Sequence, residues 1–197
     1  MRAASESTVT SDPPRSLRER IEEVALDLFA HQGYGGTSLR HIAEQLGVSK
    51  AAVYYHFNAK DDIARVLAHQ ALDALEVMTD HLVVAGPDLE AWRRALPQIV
   101  DVAIQERDLL FMYERNADAF HLLFSNDATL GGRLLEQEDR LGTVFADRSL
   151  DPETRVRLGC VFGAIHGPLL HLANHYQDMS AEELRRTLLA ALTRLLA

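Results

Sequence analysis

"GVSKAAVYYHF" (residues 47–57) sets two adjacent tyrosines beside a lysine and two alanines. Which side of a helix they occupy decides what they can touch. At helical spacing Lys50, Ala51, Tyr54 and Tyr55 share one side, while Ser49, Ala52, Val53 and His56 share the other. If Val53 points into a core, a lysine and two phenols point outward with only small alanines between them. Such a face needs something to meet it.

The residues on either side give the stretch a setting. Leu17, Ile21, Val24, Ala25, Leu28 and Phe29 repeat at i, i+3/i+4, which predicts a first helix over about residues 15–31. Gly33, Gly35 and Gly36 end it. Thr37 or Ser38 caps a second helix in which Leu39, Ile42, Ala43 and Leu46 repeat the pattern. Gly47 suits the left-handed position just past a helix end. Ser49 then caps a short third helix ending near Phe57, and Asn58 with Asp61 three residues on opens a fourth.

A helix, a tight glycine turn and a second short helix make a helix-turn-helix, whose second helix enters the DNA major groove by its N-terminal residues. On that reading Ala51 and Ala52 allow close approach to base edges, and Ala51 can touch a thymine methyl. Lys50 donates to guanine or phosphate, and Tyr54 and Tyr55 donate hydroxyls to phosphates. The helix starts at Thr37–Ser38 and Asn58–Lys60 aim backbone N–H groups the same way. The bland alternative is a surface turn in an all-helical protein, with both tyrosines half covered by another helix.

Length and charge fit this setting. The chain has 197 residues, 47% hydrophobic and 25% charged, enough for a sizeable core. A net charge of −9 argues against coating nucleic acid over the whole surface. Residues 1–65 hold 8 Lys/Arg against 9 Asp/Glu, whereas residues 66–197 hold 12 against 20. From Gly36 to Lys60 the charges are Arg40, Lys50 and Lys60 against Glu44 alone, a local positive patch on an acidic body. One cysteine excludes an intramolecular disulfide framework and agrees with a reducing, cytoplasmic setting. The first 14 residues read as a disordered arm without the apolar stretch of a secretory signal, and no apolar run is long enough to span a membrane.

"TSLRHIAEQLGVSKAAVYYHFNAKDDIARVL" (residues 37–67) resembles the DNA-binding signature of the TetR (tetracycline repressor) family of bacterial regulators. Its Thr-Ser-Leu-Arg opening, Ile42-Ala43, Leu46-Gly47-Val48-Ser49, Tyr54-Tyr55-His56-Phe57 and Lys60-Asp61 carry the likeness, with Ala25, Leu28-Phe29, Gly33-Tyr34 and Thr37 upstream. The resemblance implies that Thr37, Ser38 and Arg40 approach the DNA backbone. It also implies that Ser49, Lys50, Ala51, Ala52, Tyr54 and Tyr55 face the groove, with His56 and Lys60 on phosphates. Position 41, often acidic in the family, is His41 here, which puts an intrahelical contact in doubt.

Beyond residue 58 the apolar pattern runs through Ile63, Val66, Leu67, Ala71, Leu75, Met78 and Leu82 to Gly86-Pro87, one long helix joining head to body. Asp88 caps the next helix, which holds Trp92 and the kink-prone Pro97. An aromatic-rich segment (106–125) follows, then helices over about 127–145, from "DPET" at 151 and from "SAEE" at 180. The expected fold is all-α with about nine helices: a disordered arm (1–14), a helix-turn-helix head (15–60) and an effector-binding and dimerisation body (61–197). Gly159, Gly163 and Gly167 fall on one face of the penultimate helix, and Leu184, Leu188, Leu192 and Leu195 form a seam on the last. Each must bury a face, and an intrachain core is the plain reading. The resemblance implies that these two helices pair in a homodimer.

The resemblance also implies a ligand cavity in the body, for which Trp92, Phe111, Tyr113, Phe120, His121, Phe124 and His166 are the candidate liners, although core packing explains each of them as well. Such aromatics suit an apolar or planar effector, and the acidic body permits a cation. His171 and His175 stand i, i+4 with His166 nearby, but no Glu follows His171, so no metal and no cofactor is expected. No nucleophile elbow or phosphate-cradling loop occurs, so the chain reads as a non-enzyme. Cys160, in an apolar stretch, reads as buried and inert. Together these give a repressor that binds a palindromic operator as a homodimer and is released by a small-molecule effector. An activator of the same fold, a metal-binding enzyme and a helical adaptor are the rivals.

Overall fold

Ten helices and no strand occupy residues 15–168 and 178–197, which a computed structural model describes. The arm of residues 1–14, His171, His175 and the side chain of His166 lie outside the described residues.

Short polar side chains start most of these helices. Ser16 and Glu19 form a reciprocal capping box on α1 (Leu17–Gln32), with Ser16 N–H donating to Glu19 at 2.7 Å. Ser38 accepts from His41 N–H at the start of α2 (Leu39–Leu46), and Ser49 accepts from Ala52 N–H at the start of α3 (Lys50–His56). Gly47 between them takes φ 67, ψ 28, and its N–H returns to the Ala43 and Glu44 carbonyls. The 26-residue α4 (Lys60–Ala85) begins one residue later than the sequence suggests. Asp62, not Asp61, reaches back to the Ala59 N–H, because Asp61 is taken by Tyr34.

The remaining helices are α5 (Leu89–Gln105), α6 (Arg107–Arg115), α7 (Ala117–Asn126), α8 (Ala128–Phe145), α9 (Pro152–His166) and α10 (Ala181–Leu195). The aromatic-rich segment forms two helices, which raises the count above the nine expected. It turns at Asn116, whose side chain bonds outside its own helix.

Two apolar cores lie along α4. The upper one joins Ile21 and Phe29 of α1, Ile42 of α2, Val53 of α3 and Ile63 and Leu67 of α4 to Met112, Phe120, Phe124 and Leu130 of α6, α7 and α8. The lower one joins Met78 and Leu82 of α4 to α5, α9 and α10 around Trp92. Packing is therefore continuous across residue 60. Along the outside, Arg133 of α8 reaches Asp73 (2.6 Å) and Glu76 (3.1 Å) of α4, and Arg140 reaches Asp80. Such surface pairs register the helices more than they stabilise them.

Three expectations are corrected. Leu184, Leu188 and Leu192 face inward, buried in the lower core of their own protomer, since α10 packs on α5 and α9; only Leu195 of that seam is exposed. Cys160 is exposed: helical spacing sends Leu158, Val161 and Ile165 inward and turns Val156, Gly159, Cys160 and Gly163 to the surface. The described candidate pocket liners divide between the two cores. Trp92 sits in the lower core with its indole N–H on the Gly86 carbonyl (2.7 Å). Tyr113, Phe120 and Phe124 stack edge-to-face in the upper core, with Phe111 half-buried beside it and His121 exposed.

A methyl group at Gly47 meets nothing within 4 Å, so only its positive φ demands glycine. Gly47→Ala is expected to lower stability by about 1 kcal/mol, a fall in Tm of about 3 °C in a thermal melt.

Candidate nucleic-acid interface

Val53 has no exposed surface, and it anchors α3 against the upper core together with the buried Phe57 just past the helix. Everything on the opposite side is thereby turned to solvent. Tyr55 is 86% exposed and Tyr54 44%, with Lys50 and Ala51 exposed beside them. Ala52 and His56 are half-buried at the edge. The Lys50 ammonium lies 5.2 Å from the Tyr54 ring centroid, and Tyr55 meets the His56 ring edge-on at 5.2 Å. A cation over an aromatic face is held without being discharged, so it remains available to an anion. Among the described residues no helix covers this surface, which argues against the half-covered alternative.

Ser38 and Ser49 carry two functions at once. Each hydroxyl oxygen accepts from its own helix N-terminus, which leaves the hydroxyl proton free to donate outward. Arg40 is exposed at the start of α2, with its guanidinium on Glu44 at 2.7 Å. That hydrogen bond holds the Glu44 carboxyl below its usual range and raises Arg40.

Thr37 and Lys60 face elsewhere than the sequence suggests. Thr37 is buried, and its hydroxyl donates to the Gly33 carbonyl at 2.9 Å, closing the turn before α2. The Lys60 ammonium turns inward and donates to the carbonyls of Tyr34 (2.5 Å) and Thr37 (2.9 Å) while lying 3.9 Å from the Tyr34 ring centroid. Burial lowers its pKa. The Tyr34 hydroxyl donates to Asp61; burial first, then this bond, pushes the phenol pKa upward. Tyr34, Asp61 and Asn116, none of which the sequence singled out as functional, thus hold the turn before α2. Tyr34 meets Asp61 across 27 residues of sequence and Asn116 across 82, beyond any local pattern.

The face can receive an anionic, grooved partner: small residues at its centre, a lysine and hydroxyls around them, and helix N-termini alongside. Among the described residues no group of His, Cys, Asp or Glu could hold a metal ion, and no helix is long and apolar enough to cross a membrane.

Residues 21–67 match the family model of bacterial regulatory proteins, tetR family. RaaS of Mycobacterium tuberculosis, an HTH-type transcriptional regulatory protein, is 27% identical over 156 residues, covering 79% of this chain and 71% of that one. The HTH-type transcriptional repressor AcnR of Corynebacterium glutamicum is 33% identical over 79 residues, 40% of this chain and 42% of its own length, so the chain spans under half of that relative. In structure, AmtR of Mycobacterium smegmatis superposes with a TM-score of 0.61 at 26% identity, over 94% of this chain and 88% of that one.

The two lysines separate the roles. Lys50→Ala is expected to weaken DNA binding and to flatten the slope of log affinity against log salt by about one, with stability nearly unchanged. Lys60→Met strands two carbonyls and is expected to cost about 2 kcal/mol of stability while leaving the slope in place. Binding titrations at several salt concentrations, paired with melts, check both.

Proposed function

We propose that this chain, whose residues 21–67 match the model of bacterial regulatory proteins of the tetR family, is a transcriptional repressor that binds a two-fold operator as a homodimer and releases it on taking up a small molecule. The exposed face of α3 over a buried Val53 carries this reading. A single seven-residue helix reads too few base pairs for useful specificity, so two copies must act together about one duplex turn apart. Occupying a promoter is by itself enough to block it, and AcnR, 33% identical over 79 residues, is named a repressor. The head spans residues 15–60 and the effector-binding and dimerising body 61–197, in the cytoplasm.

For the dimer, the outer face of α9 is the surface we assign. Val156 (66% exposed), Gly159, Cys160 and Gly163 line it, and a Cβ built on either glycine meets nothing within 4 Å. The exposed small residues of α10, Ala190 and Ala191, belong to the neighbouring helix of the same pair. A partner helix can approach such a surface closely. Gly163→Leu is expected to leave the protomer folded by circular dichroism, to give a monomer on gel filtration and to bind operator at least tenfold more weakly. A dimer of unchanged affinity would contradict the assignment.

For the effector, the seat we propose lies beside Thr79 of α4. Its hydroxyl has no exposure and, among the described residues, no hydrogen-bond partner, at the level where the upper core gives way to the lower. An orphaned buried hydroxyl is a liability in the free protein and a ready partner for a mostly apolar ligand bearing one polar group. Effector and operator would favour different tilts of α4, and a hundredfold preference for the free dimer is about 2.7 kcal/mol of coupling. Thr79→Val is expected to raise stability by about 1 kcal/mol. In a thermal-shift screen of small planar compounds it should lose the stabilisation that hits confer on the wild type, while keeping DNA binding.

A further inference from the structure

Asn116 is 8% exposed at the corner between α6 and α7, and its side chain makes three hydrogen bonds. Nδ2 donates to the Phe29 carbonyl at 3.0 Å and to the Met112 carbonyl at 2.7 Å. Oδ1 accepts from the Tyr34 backbone N–H at 2.6 Å. Two of the three partners are main-chain groups of the head, 82 and 87 residues away.

A helix leaves its last four carbonyls without intrahelical partners, and Phe29 is one of these in α1. A glycine just past a helix end commonly turns the chain back so that local N–H groups meet those carbonyls. Gly33 does not: at φ 81, ψ 155 it sends the chain onward in an extended direction. The cap is supplied instead by the body. Arg115, the residue before Asn116, adds a bond from its guanidinium to the His31 carbonyl at 3.3 Å. A Cβ on Gly33 would stand 3.7 Å from Asn116 Oδ1, so the approach is close without a clash.

We propose that Asn116 is the positioning residue that sets the angle of the DNA-binding head on the body, by capping α1 from the α6–α7 corner. The apolar contacts around it, Phe29, Met112, Leu109 and Phe120, have no preferred direction and can slide past one another. Hydrogen bonds to main-chain atoms on both sides of the α1 end cannot slide without breaking. Other polar ties of the head among the described residues are side-chain ends: Arg115 on the His31 carbonyl, Gln70 on Glu22 at 3.2 Å, and Lys60 and Asp61 at the turn where α4 starts. With the Asn116 bonds intact α3 projects at one angle; without them the head can swing on contacts that give way. In a dimer that angle fixes the separation of the two α3 helices, so Asn116 sets which half-site spacing the protein accepts. This rests on the dimeric operator reading.

The test uses the full chain and a duplex selected by the wild type from a randomised library. Affinity is then measured on that duplex and on versions with one base pair inserted or deleted between the half-sites. One base pair shifts a half-site by about 3.4 Å and turns it by about 35°, so the wild type should lose at least about tenfold on both altered duplexes. Asn116→Ala is expected to bind the selected duplex more weakly and to discriminate among the three by less than about threefold. Asn116→Asp keeps the acceptor for Tyr34 N–H and loses both donors; it should fall between the two, and it carries the test if the alanine variant does not fold. A residue that only stabilises the protein would lower affinity for all three duplexes by one factor. Unchanged discrimination in both variants, or in Asn116→Asp alone where alanine does not fold, therefore overturns the proposal while leaving the operator reading intact. A wild type that selects no two-fold site overturns both.

Discussion

Val53 is the fixed point from which the rest of the surface is set. With that side chain inside the upper core, a helix of seven residues has no freedom to rotate, and Lys50, Ala51, Tyr54 and Tyr55 are committed to solvent. Gly47 supplies the left-handed turn that places this short helix across α2, and Phe57 locks its far end. An exposed tyrosine pair is costly to keep on a surface that meets nothing. Here the apolar area is offset by what it offers: rings, hydroxyls and a nearby cation arranged around two small residues.

The second constraint is the continuity of the upper core. Head helices α1 to α3 and body helices α6 and α7 bury their apolar faces against one another, so the head is not a bead on a string. Polar groups then refine what apolar burial leaves loose. Lys60 and Thr37 close the turn before α2 from within, Tyr34 reaches Asp61, and Asn116 ties the end of α1 to the body. α4 passes through both cores, so a change in the lower one has a rigid route to the head, about 39 Å along a 26-residue helix. On the proposed reading, this is the route by which a body ligand would act on a DNA-reading helix.

Much of this was legible in the sequence, because it is local. Serines three residues ahead of the N–H groups they cap, a glycine at a helix end and apolar spacing of three and four gave the helices of the head and the outward face of α3. The facing of Cys160 was legible too, since Leu158, Val161 and Ile165 already mark the inner side of its helix; an apolar neighbourhood in sequence is not a buried face in space. What was not legible depends on partners far along the chain. Leu184, Leu188 and Leu192 had to be buried, but only α5 reveals that they are buried within the protomer. Lys60 reads as a phosphate contact by resemblance, and nothing local corrects this, since its two acceptors are carbonyls and every residue has one. Asn116 looked like any polar residue of an aromatic-rich segment.

On the proposed reading two outward α3 faces read neighbouring stretches of major groove. Guanine N7 protection in the complex, mapped base by base on a selected duplex, tests it most directly. Two protected clusters related by two-fold symmetry are expected, centred about one duplex turn or a small multiple apart, and both lost in Lys50→Ala at moderate salt. Protection confined to the minor groove, or spread evenly along the backbone with no paired clusters, would contradict it.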